Sequence, residues 1–359
     1  MTTTNSIQVA AAEPVEPGQL LIDGQLTEAH SGRTFDVMYP GTGDRLTACA
    51  EGGPEDIEDA VAAARRAFLP WSKMKPSDRG RRLKCFADLI DQHSTRLAKL
   101  TTLEMGKPRR ESETIDGPHT AMVFRYFGEW CNKVYGETCP VDPAYLNYTM
   151  KVPLGVVGAI TAWNFPILTA AWKAAPALAM GNTVVLKPAE QSPLGAIELG
   201  KLALEADIPP GVFNVVPGFG PTAGAALSSH LGVDKLAFTG EHRTAQHILK
   251  ASAGNLKKLS LECGGKSPHI IFDDADLNGA ARSAFQGIFS NQGQVCNAGS
   301  RLFVHTSVHD EFMDKLIHRA KKLRLGDPMQ RSTRSGPVVS ATHRDKVNEY
   351  IRIGASEAT

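Results

Sequence analysis

The stretch LGVVGAITAWNFP, residues 154–166, joins a short apolar run to a helical pattern that starts with a proline. Three similar units follow it along the chain, so four strand–helix repeats stand in succession. The predicted strands are 156–161, 183–187, 212–216 and 236–239, with helices beginning near Pro166, Pro193, Pro221 and Glu241. Strands that alternate with helices are typical of βαβ units, whose strands lie parallel. The sequence therefore predicts an α/β fold around a parallel sheet.

A further set of elements follows the four repeats. Its predicted strands lie near 259–262, 269–272 and 302–305, and its helices near 277–290, 308–323 and 343–353. This set predicts a second α/β domain that begins near Leu261.

The part before residue 154 is predicted to hold a hairpin and several helices. Leu20-Leu21-Ile22 precedes Asp23-Gly24, a dipeptide that favours a tight hairpin turn. Apolar residues at helical spacing follow Pro54, recur over 83–90, and predict another helix from Ser94 that ends at Gly106.

Composition excludes several classes of protein. The 359 residues carry a formal net charge of +1, so no general field attracts nucleic acid or an anionic membrane. Residues 1–18 lack a basic start and an apolar run, which predicts a flexible tail instead of a secretory signal. Polar residues and prolines interrupt the most apolar stretch, 159–180, and no membrane helix is expected. These features predict a cytoplasmic protein.

The six cysteines show no C-x-x-C spacing. That spacing is typical of zinc sites and dithiol motifs. We therefore expect reduced, free thiols and no bound metal.

Polar side chains in four segments follow predicted strands or lie in glycine-rich turns. The segments are AWNFP at 162–166, LKPAE at 186–190, LECGGK at 261–266 and NQGQVCNAG at 291–299. Sites of α/β proteins are built at such strand ends. Each segment also has a purely structural interpretation.

These structural interpretations differ from one segment to the next. Asn164 is equally suited to cap the following helix, and Lys187 and Glu190 to form a surface ion pair. Glu262 is of a type usually found solvated, and a single cysteine such as Cys296 is more often an inert buried side chain than a nucleophile. No one segment decides between the two interpretations.

Taken together, five motifs in order resemble the NAD(P)-dependent aldehyde dehydrogenase superfamily. They are WNFP at 163–166, KPAE at 187–190, FTG at 238–240, LECGGKSP at 261–268 and NQGQVC at 291–296. The resemblance runs from about Leu20 to the end of the chain. It implies a Rossmann-like NAD-binding domain, a second α/β catalytic domain and a small β oligomerisation arm.

The resemblance also implies domain bounds. They are a tail at 1–18, an NAD-binding domain at 19–125 and 152–260, an arm at 126–151 and a catalytic domain at 261–359. Family members continue further, with a glutamate–phenylalanine motif and further strands, so the chain resembles a C-terminally truncated member with an incomplete catalytic domain. A homodimer or homotetramer is expected if the C-terminal region is present.

For the chemistry, the resemblance implies an oxidoreductase that converts an aldehyde to a carboxylic acid. Cys296 would be the nucleophile that forms a thiohemiacetal and then a thioester. The side-chain amide of Asn164 and the backbone N–H of Cys296 would stabilise the oxyanion. Glu262 would be the general base that activates water.

The resemblance further implies NAD as cofactor. The positions it assigns to the dinucleotide are Trp163, Lys187, Glu190, Gly220, Gly224, Thr239, Gly240 and Glu241. A carboxylate at Glu190 favours ribose hydroxyls and repels a 2′-phosphate, so NAD is expected over NADP. Glu241 departs from the small hydroxyl residue common in the family, and its charge would oppose a nearby pyrophosphate.

Substrate choice is less well defined. Phe165, Leu168, Trp172 and Val295 match positions that line the family's aldehyde tunnel, but aromatic residues at helical spacing are equally expected in a core. Two other functions remain open at this point. One is a catalytically impaired fragment that acts through binding or subunit association, and the other is a cysteine hydrolase that pairs Cys296 with His269.

Overall fold

The computed structural model describes residues 7–357; residues 1–6 of the predicted tail lie outside the described residues. The strands are β1 (Leu20–Ile22), β2 (Gln25–Thr27), β3 (Thr34–Met38), β4 (Arg45–Ala50), β5 (Thr138–Cys139), β6 (Asn147–Tyr148), β7 (Val156–Ile160), β8 (Thr183–Lys187), β9 (Phe213–Val215), β10 (Lys235–Gly240), β11 (Lys258–Cys263), β12 (Pro268–Ile271) and β13 (Arg301–Val304). The helices are α1 (Pro54–Lys73), α2 (Pro76–Gln92), α3 (Ser94–Met105), α4 (Arg109–Thr114), α5 (Asp116–Trp130), α6 (Pro166–Ala179), α7 (Leu194–Glu205), α8 (Ala225–Ser229), α9 (His242–Ala251), α10 (Leu277–Phe289), α11 (His309–Ala320) and α12 (Ala341–Glu357).

A seven-stranded central sheet organises the fold, in the order β11-β10-β7-β8-β9-β1-β2. The first five strands run parallel, and the hairpin of β1 and β2 adds an antiparallel edge through the pair Leu21 and Val215. The predicted α/β fold with a parallel sheet is therefore confirmed, as is the hairpin at Asp23-Gly24.

The central sheet separates two hydrophobic cores. Along β7, Val157 and Ala159 pack into one core with α2, α5, α6 and α7, whereas Val156 and Ile160 pack into the other with α1, α8 and α9. Because successive side chains of a strand point to opposite faces, an unbroken apolar run supplies both cores at once. This double burial explains why the predicted central strands have no polar alternation.

Prolines and glycines set the helix boundaries largely as predicted. Pro54 and Pro166 occupy the first turns of α1 and α6, where the missing N–H costs no hydrogen bond. Gly106 ends α3 in the left-handed conformation at φ +79°. The helix expected near Pro221 starts later, at Ala225, because residues Gly220–Gly224 form a turn of π-helix.

The strand near 259–262 belongs to the central sheet and not to the second set of elements. β11 pairs in parallel with β10 along its whole length, from Lys258 opposite Lys235 to Cys263 opposite Gly240. The expected domain boundary between residues 260 and 261 thus falls inside a paired strand. An apolar run predicts a strand but carries no information about its neighbour in the sheet, which explains the difference.

The remaining strands form three small sheets. β12 and β13 pair in parallel, and we call them the small sheet; α10 and α11 cover it over a core of Ile271, Ala281, Ala284 and Phe312. β3 and β4 pair antiparallel, as do β5 and β6.

The predicted oligomerisation arm, 126–151, corresponds in part to β5 and β6. The first residues of the predicted arm continue α5 to Trp130. Val123 and Phe127 lie one turn apart on α5, and both pack against the core that also contains α2, α6 and α7. Tyr145 and Leu146, between the two strands, are 75% and 79% exposed. A role of this hairpin in subunit association stays a prediction. Across residues 7–357, helices long and apolar enough to span a membrane are absent.

Candidate active site

The candidate site lies at the carboxyl ends of neighbouring parallel strands. Asn164 follows β7, Thr239 lies near the end of β10, and Glu262 lies near the end of β11. The register pairs Thr239 directly with Glu262. Parallel strands bring their carboxyl ends to one edge of the sheet, so residues distant in sequence meet there.

A cavity of about 1050 Å³ opens at this edge. Its walls include all three predicted catalytic residues and all four predicted substrate-lining residues: Asn164, Glu262, Cys296, Phe165, Leu168, Trp172 and Val295. The structure therefore brings together in one space seven positions that the sequence presents in three separate segments.

Cys296 is a free and exposed cysteine in the loop after α10. Its carbonyl oxygen accepts a hydrogen bond from the backbone N–H of Gly265 at 3.1 Å, which connects the two glycine-rich segments. Glu262 is also exposed, on the cavity side of β11. The interpretation of Cys296 as an inert buried side chain does not fit this position, because its thiol is open to a small molecule.

Asn164 does not cap the following helix. The residue that precedes the first turn of α6 is Phe165, and no side chain caps that turn. Instead the Asn164 side-chain Nδ2 donates to the carbonyl oxygen of Gln294 at 2.9 Å, beside the cysteine loop. One such bond leaves the second N–H of the amide for a ligand.

Two buried amides that the sequence argument passed over hold the cysteine loop in place. The Asn291 Nδ2 donates to the carbonyl oxygens of Asn164, at 2.9 Å, and Gln294, at 3.2 Å. The side-chain Oε1 of Gln294 accepts from the backbone N–H of Val339 at 2.9 Å. Both residues are at most 7% exposed. The polar, glycine-rich sequence around Cys296 indicates a structured loop. The hydrogen-bond partners of its amides are distant in sequence, so the sequence does not reveal them.

Lys173 is a further residue of the cavity that sequence reasoning missed. It is 8% exposed, and its Nζ donates to the Thr239 Oγ1 at 2.5 Å. Burial lowers the pKa of the ammonium to about 8, and the neighbouring Glu262 carboxylate partly opposes this shift. A lysine inside an otherwise apolar helix is the signal that could have marked it, since a buried charge needs partners.

The predicted pair of Lys187 and Glu190 forms, but not on the surface. The Lys187 Nζ lies 3.5 Å from the Glu190 Oε2, and Lys187 is 3% exposed. Burial lowers the pKa of Lys187, and the carboxylate partner opposes that shift. A Cβ on Gly224 would lie 3.8 Å from the Lys187 side chain, so the predicted glycine and lysine are neighbours.

The other predicted cofactor positions lie along the same sheet edge, outside the large cavity except for Thr239. The rings of Trp163 and His343 are 5.1 Å apart, which packs α12 against the WNFP segment. Glu241 is exposed, and its Oε1 lies 3.7 Å from the Lys346 Nζ. The α12 ammonium therefore faces the unusual carboxylate and offsets part of its charge.

His269 does not join this site. It lies on β12, where it pairs with Leu302, and it is absent from the walls of the cavity that holds Cys296. A hydrolase pair needs the two side chains within hydrogen-bond reach. The structure thus gives no support to the cysteine hydrolase.

Comparison with known proteins gives a consistent result over nearly the whole chain. The model of the aldehyde dehydrogenase family matches residues 26–359. Aldehyde dehydrogenase family 2 member B4, mitochondrial, of Arabidopsis thaliana is 50% identical over 354 residues, which cover 96% of this chain and 66% of the relative. Retinal dehydrogenase 2 of Homo sapiens is 46% identical over 343 residues, which cover 94% of this chain and 66% of that relative. The chain spans about two thirds of the length of these relatives.

A solved structure shows the same similarity in three dimensions. The NAD+ complex of aldehyde dehydrogenase from Bacillus cereus superposes with a TM-score of 0.94 at 45% identity, and the match covers 96% of this chain and 70% of that one.

Proposed function

Since the chain belongs to the aldehyde dehydrogenase family, we propose that it oxidises an aldehyde to a carboxylic acid with NAD as cofactor. The observation that carries the proposal is one cavity that holds the accessible thiol of Cys296 beside Asn164 and Glu262. NAD, when bound, supplies the acceptor for the hydride that the aldehyde carbon loses.

The residues at the sheet edge fit a dinucleotide without a 2′-phosphate. The buried Lys187 ammonium has a carboxylate, Glu190, at 3.5 Å, and its further N–H groups are donors for hydroxyl oxygens. Glu190 accepts hydroxyl hydrogen bonds and repels an added phosphate. A Cβ on Gly220 would have no atom within 4 Å, so a bound dinucleotide has room to approach the backbone closely at this glycine. These features support NAD over NADP.

In the first step, the Cys296 thiol loses its proton to solvent water as its sulfur attacks the aldehyde carbon. A carbon–sulfur bond forms, and the electron pair of the carbonyl bond moves to oxygen. The free N–H of the Asn164 amide and the backbone N–H of Cys296 stabilise that negative oxygen. Each donor of this kind is typically worth about 2.7–4 kcal/mol in the transition state.

Loss of hydride from the tetrahedral carbon leaves a thioester on Cys296. Glu262 then takes a proton from a water molecule, whose oxygen attacks the thioester carbon. The carbon–sulfur bond breaks with its electron pair on sulfur, and the carboxylic acid leaves. The sulfur takes up the proton held by Glu262, which restores the thiol and the carboxylate. The exposure of the Glu262 side chain toward the cavity supports this role, because the water must reach it.

The test is NADH formation from NAD and a panel of aliphatic and aromatic aldehydes, followed by absorbance. We expect Cys296→Ala to abolish turnover, a loss of at least about 10³-fold because the nucleophile is gone. Cys85→Ala, at an exposed cysteine on α2, is the matched control and keeps full activity. Unchanged turnover in Cys296→Ala would overturn the mechanism. A chain that binds NAD and aldehyde but never forms NADH would instead be a binding protein.

A further inference from the structure

A second cavity adjoins the one that holds Cys296. Its volume is about 470 Å³, and it lies among α4, α10, α11 and residues 323–334. The two cavities share the wall residues Glu111, Ile115, Gln286 and Ser290, so they lie side by side. We call the second cavity the outer cleft.

Four cationic side chains line the outer cleft: Arg110, Arg319, Lys322 and Arg334. Within residues 7–357, no carboxylate lies within 4.0 Å of any of them. The adjacent arginines behave differently, because Arg109 and Arg331 each contact the carboxylate of Glu113 at 2.9 Å. Positive charge is therefore concentrated in the outer cleft, on four side chains that form no salt bridge with the described residues.

Glu111 is the one carboxylate among the described residues that line the outer cleft. Its Oε1 accepts the backbone N–H of Asn291 at 3.0 Å, so this group is engaged by the cysteine loop. Four cations against a single engaged carboxylate leave a net positive potential. Cations that repel one another across a cleft are stabilised by an anion placed between them.

We infer that the outer cleft binds the distal carboxylate of the substrate, so that the preferred aldehydes are oxo acids with the aldehyde at the opposite end. This inference rests on the proposed function and names the substrate class of the same site. The apolar wall of Phe165, Leu168 and Trp172 contacts the hydrocarbon chain between the two ends. The aldehyde carbon then reaches Cys296 while the carboxylate contacts Arg334 and its neighbours.

The experiment measures protection of Cys296 without NAD. Addition of the thiol to an aldehyde forms a carbon–sulfur bond, moves the thiol proton to the carbonyl oxygen and needs no oxidant. Linear oxo acids of increasing length, and their methyl esters, compete with iodoacetamide, and alkylation is followed by peptide mass spectrometry. The exposed Cys85 is the internal reference. We expect at least one acid to protect at about tenfold lower concentration than its ester, with the gap shrinking as salt is added.

Charge variants locate the effect. Arg334→Glu and Lys322→Glu should each reduce the preference for acid over ester about tenfold and leave protection by the esters unchanged. Lys75→Glu, at an exposed lysine between α1 and α2, is the matched control and keeps the preference. Circular dichroism and urea unfolding confirm that each variant is folded.

Three results would overturn the inference: equal protection by acid and ester at all lengths, an unchanged preference in both cleft variants, or equal protection by inorganic phosphate alone, which would indicate a free-anion site. Failure of the proposed function looks different. Acid-selective protection without NADH formation would contradict only the oxidation, whereas NADH formation with no acid preference would contradict only the substrate class.

Discussion

The central sheet and the small sheet are buried to very different degrees. Every residue of β7 and β8 is buried, because helices cover both faces of the central sheet. In the small sheet, by contrast, Ile270 and Phe303 are 55% and 51% exposed, and the core is four residues. Two-stranded sheets with one covered face are marginal alone. The contrast shows where the stability of the described chain resides.

The candidate site extends across both regions. Asn164 and Lys173 extend from the central sheet and α6, whereas Cys296 lies in the loop between α10 and the small sheet. Two side-chain hydrogen bonds hold this loop against the part of the molecule built on the central sheet. The Asn291 side chain donates to the carbonyl oxygen of Asn164, and the Gln292 side chain donates to that of Gly106. The position of the thiol thus depends on a few directed bonds more than on apolar packing.

The largest expected difference between the two sheets is in stability. Leu186→Ala removes a fully buried side chain from β8 and should lower the free energy of unfolding by about 2–5 kcal/mol. Ile270→Ala on β12 is the matched substitution at a half-exposed site and should cost at most about 0.5–1 kcal/mol. Urea unfolding measures both, and similar losses would break the comparison.

A substitution of Asn164 tests the part of the candidate site that the central sheet supports. Removing its amide in Asn164→Ala should lower kcat about 10²–10³-fold, because an oxyanion donor is lost. The alkylation rate of Cys296 should change by a much smaller factor, which reflects only the lost hydrogen bond to Gln294. Steady-state kinetics and iodoacetamide labelling separate the two quantities. A normal kcat in a folded variant would remove Asn164 from the proposed mechanism.

Asn291 tests the attachment of the loop. Asn291→Gly removes both side-chain hydrogen bonds and should cost about 1–3 kcal/mol in kcat/KM, with faster proteolysis near Gly293. Asn291→Ala should cost roughly 1 kcal/mol more, because the residue has φ +48° and a Cβ without a polar group is strained there. If both variants react and resist protease like the native chain, the loop is held by something else.

The buried Lys173 should make the free energy of unfolding depend on pH. Its folded pKa, about 8, lies below the ordinary 10.5 because of burial, so the unfolded chain holds more protons between these values. The free energy of unfolding should therefore rise with pH from about 8 to 10.5. Below pH 8 the buried Lys173 ammonium is charged and lowers the stability by its full amount. We expect this rise to be roughly 1–3 kcal/mol smaller in Lys173→Met. Urea unfolding at several pH values measures it, with Lys75→Met as control; parallel curves would contradict the assignment.

Local sequence signals predicted the elements of the central sheet well. The buried runs at β7 and β8 and the prolines that start α1 and α6 each act within a few residues, so they are visible in sequence. The neighbour of β11 in the sheet was not predicted. Strand pairing between Lys258 and Lys235 depends on how helices pack, which no local pattern records.

The candidate site shows the same limit. Cys296, Asn164 and Glu262 were identified because the resemblance marks their motifs, and the structure places them in one cavity. The residues that position them were missed because each partner is far away in sequence: Asn291 contacts Asn164 across 127 positions, and Lys173 contacts Thr239 across 66. Such pairs become visible only when the chain is folded.

The antiparallel edge of the central sheet has a consequence for biosynthesis. The backbone N–H of Asp23 donates to the side chain of Asn214, which follows 191 residues later, and Leu21 pairs with Val215. A ribosome adding about 5–20 residues per second needs roughly 10–40 s to cover that interval. During this time the first hairpin has no strand to join. The amino-terminal segment of the nascent protein must therefore wait for β9 before the sheet can close.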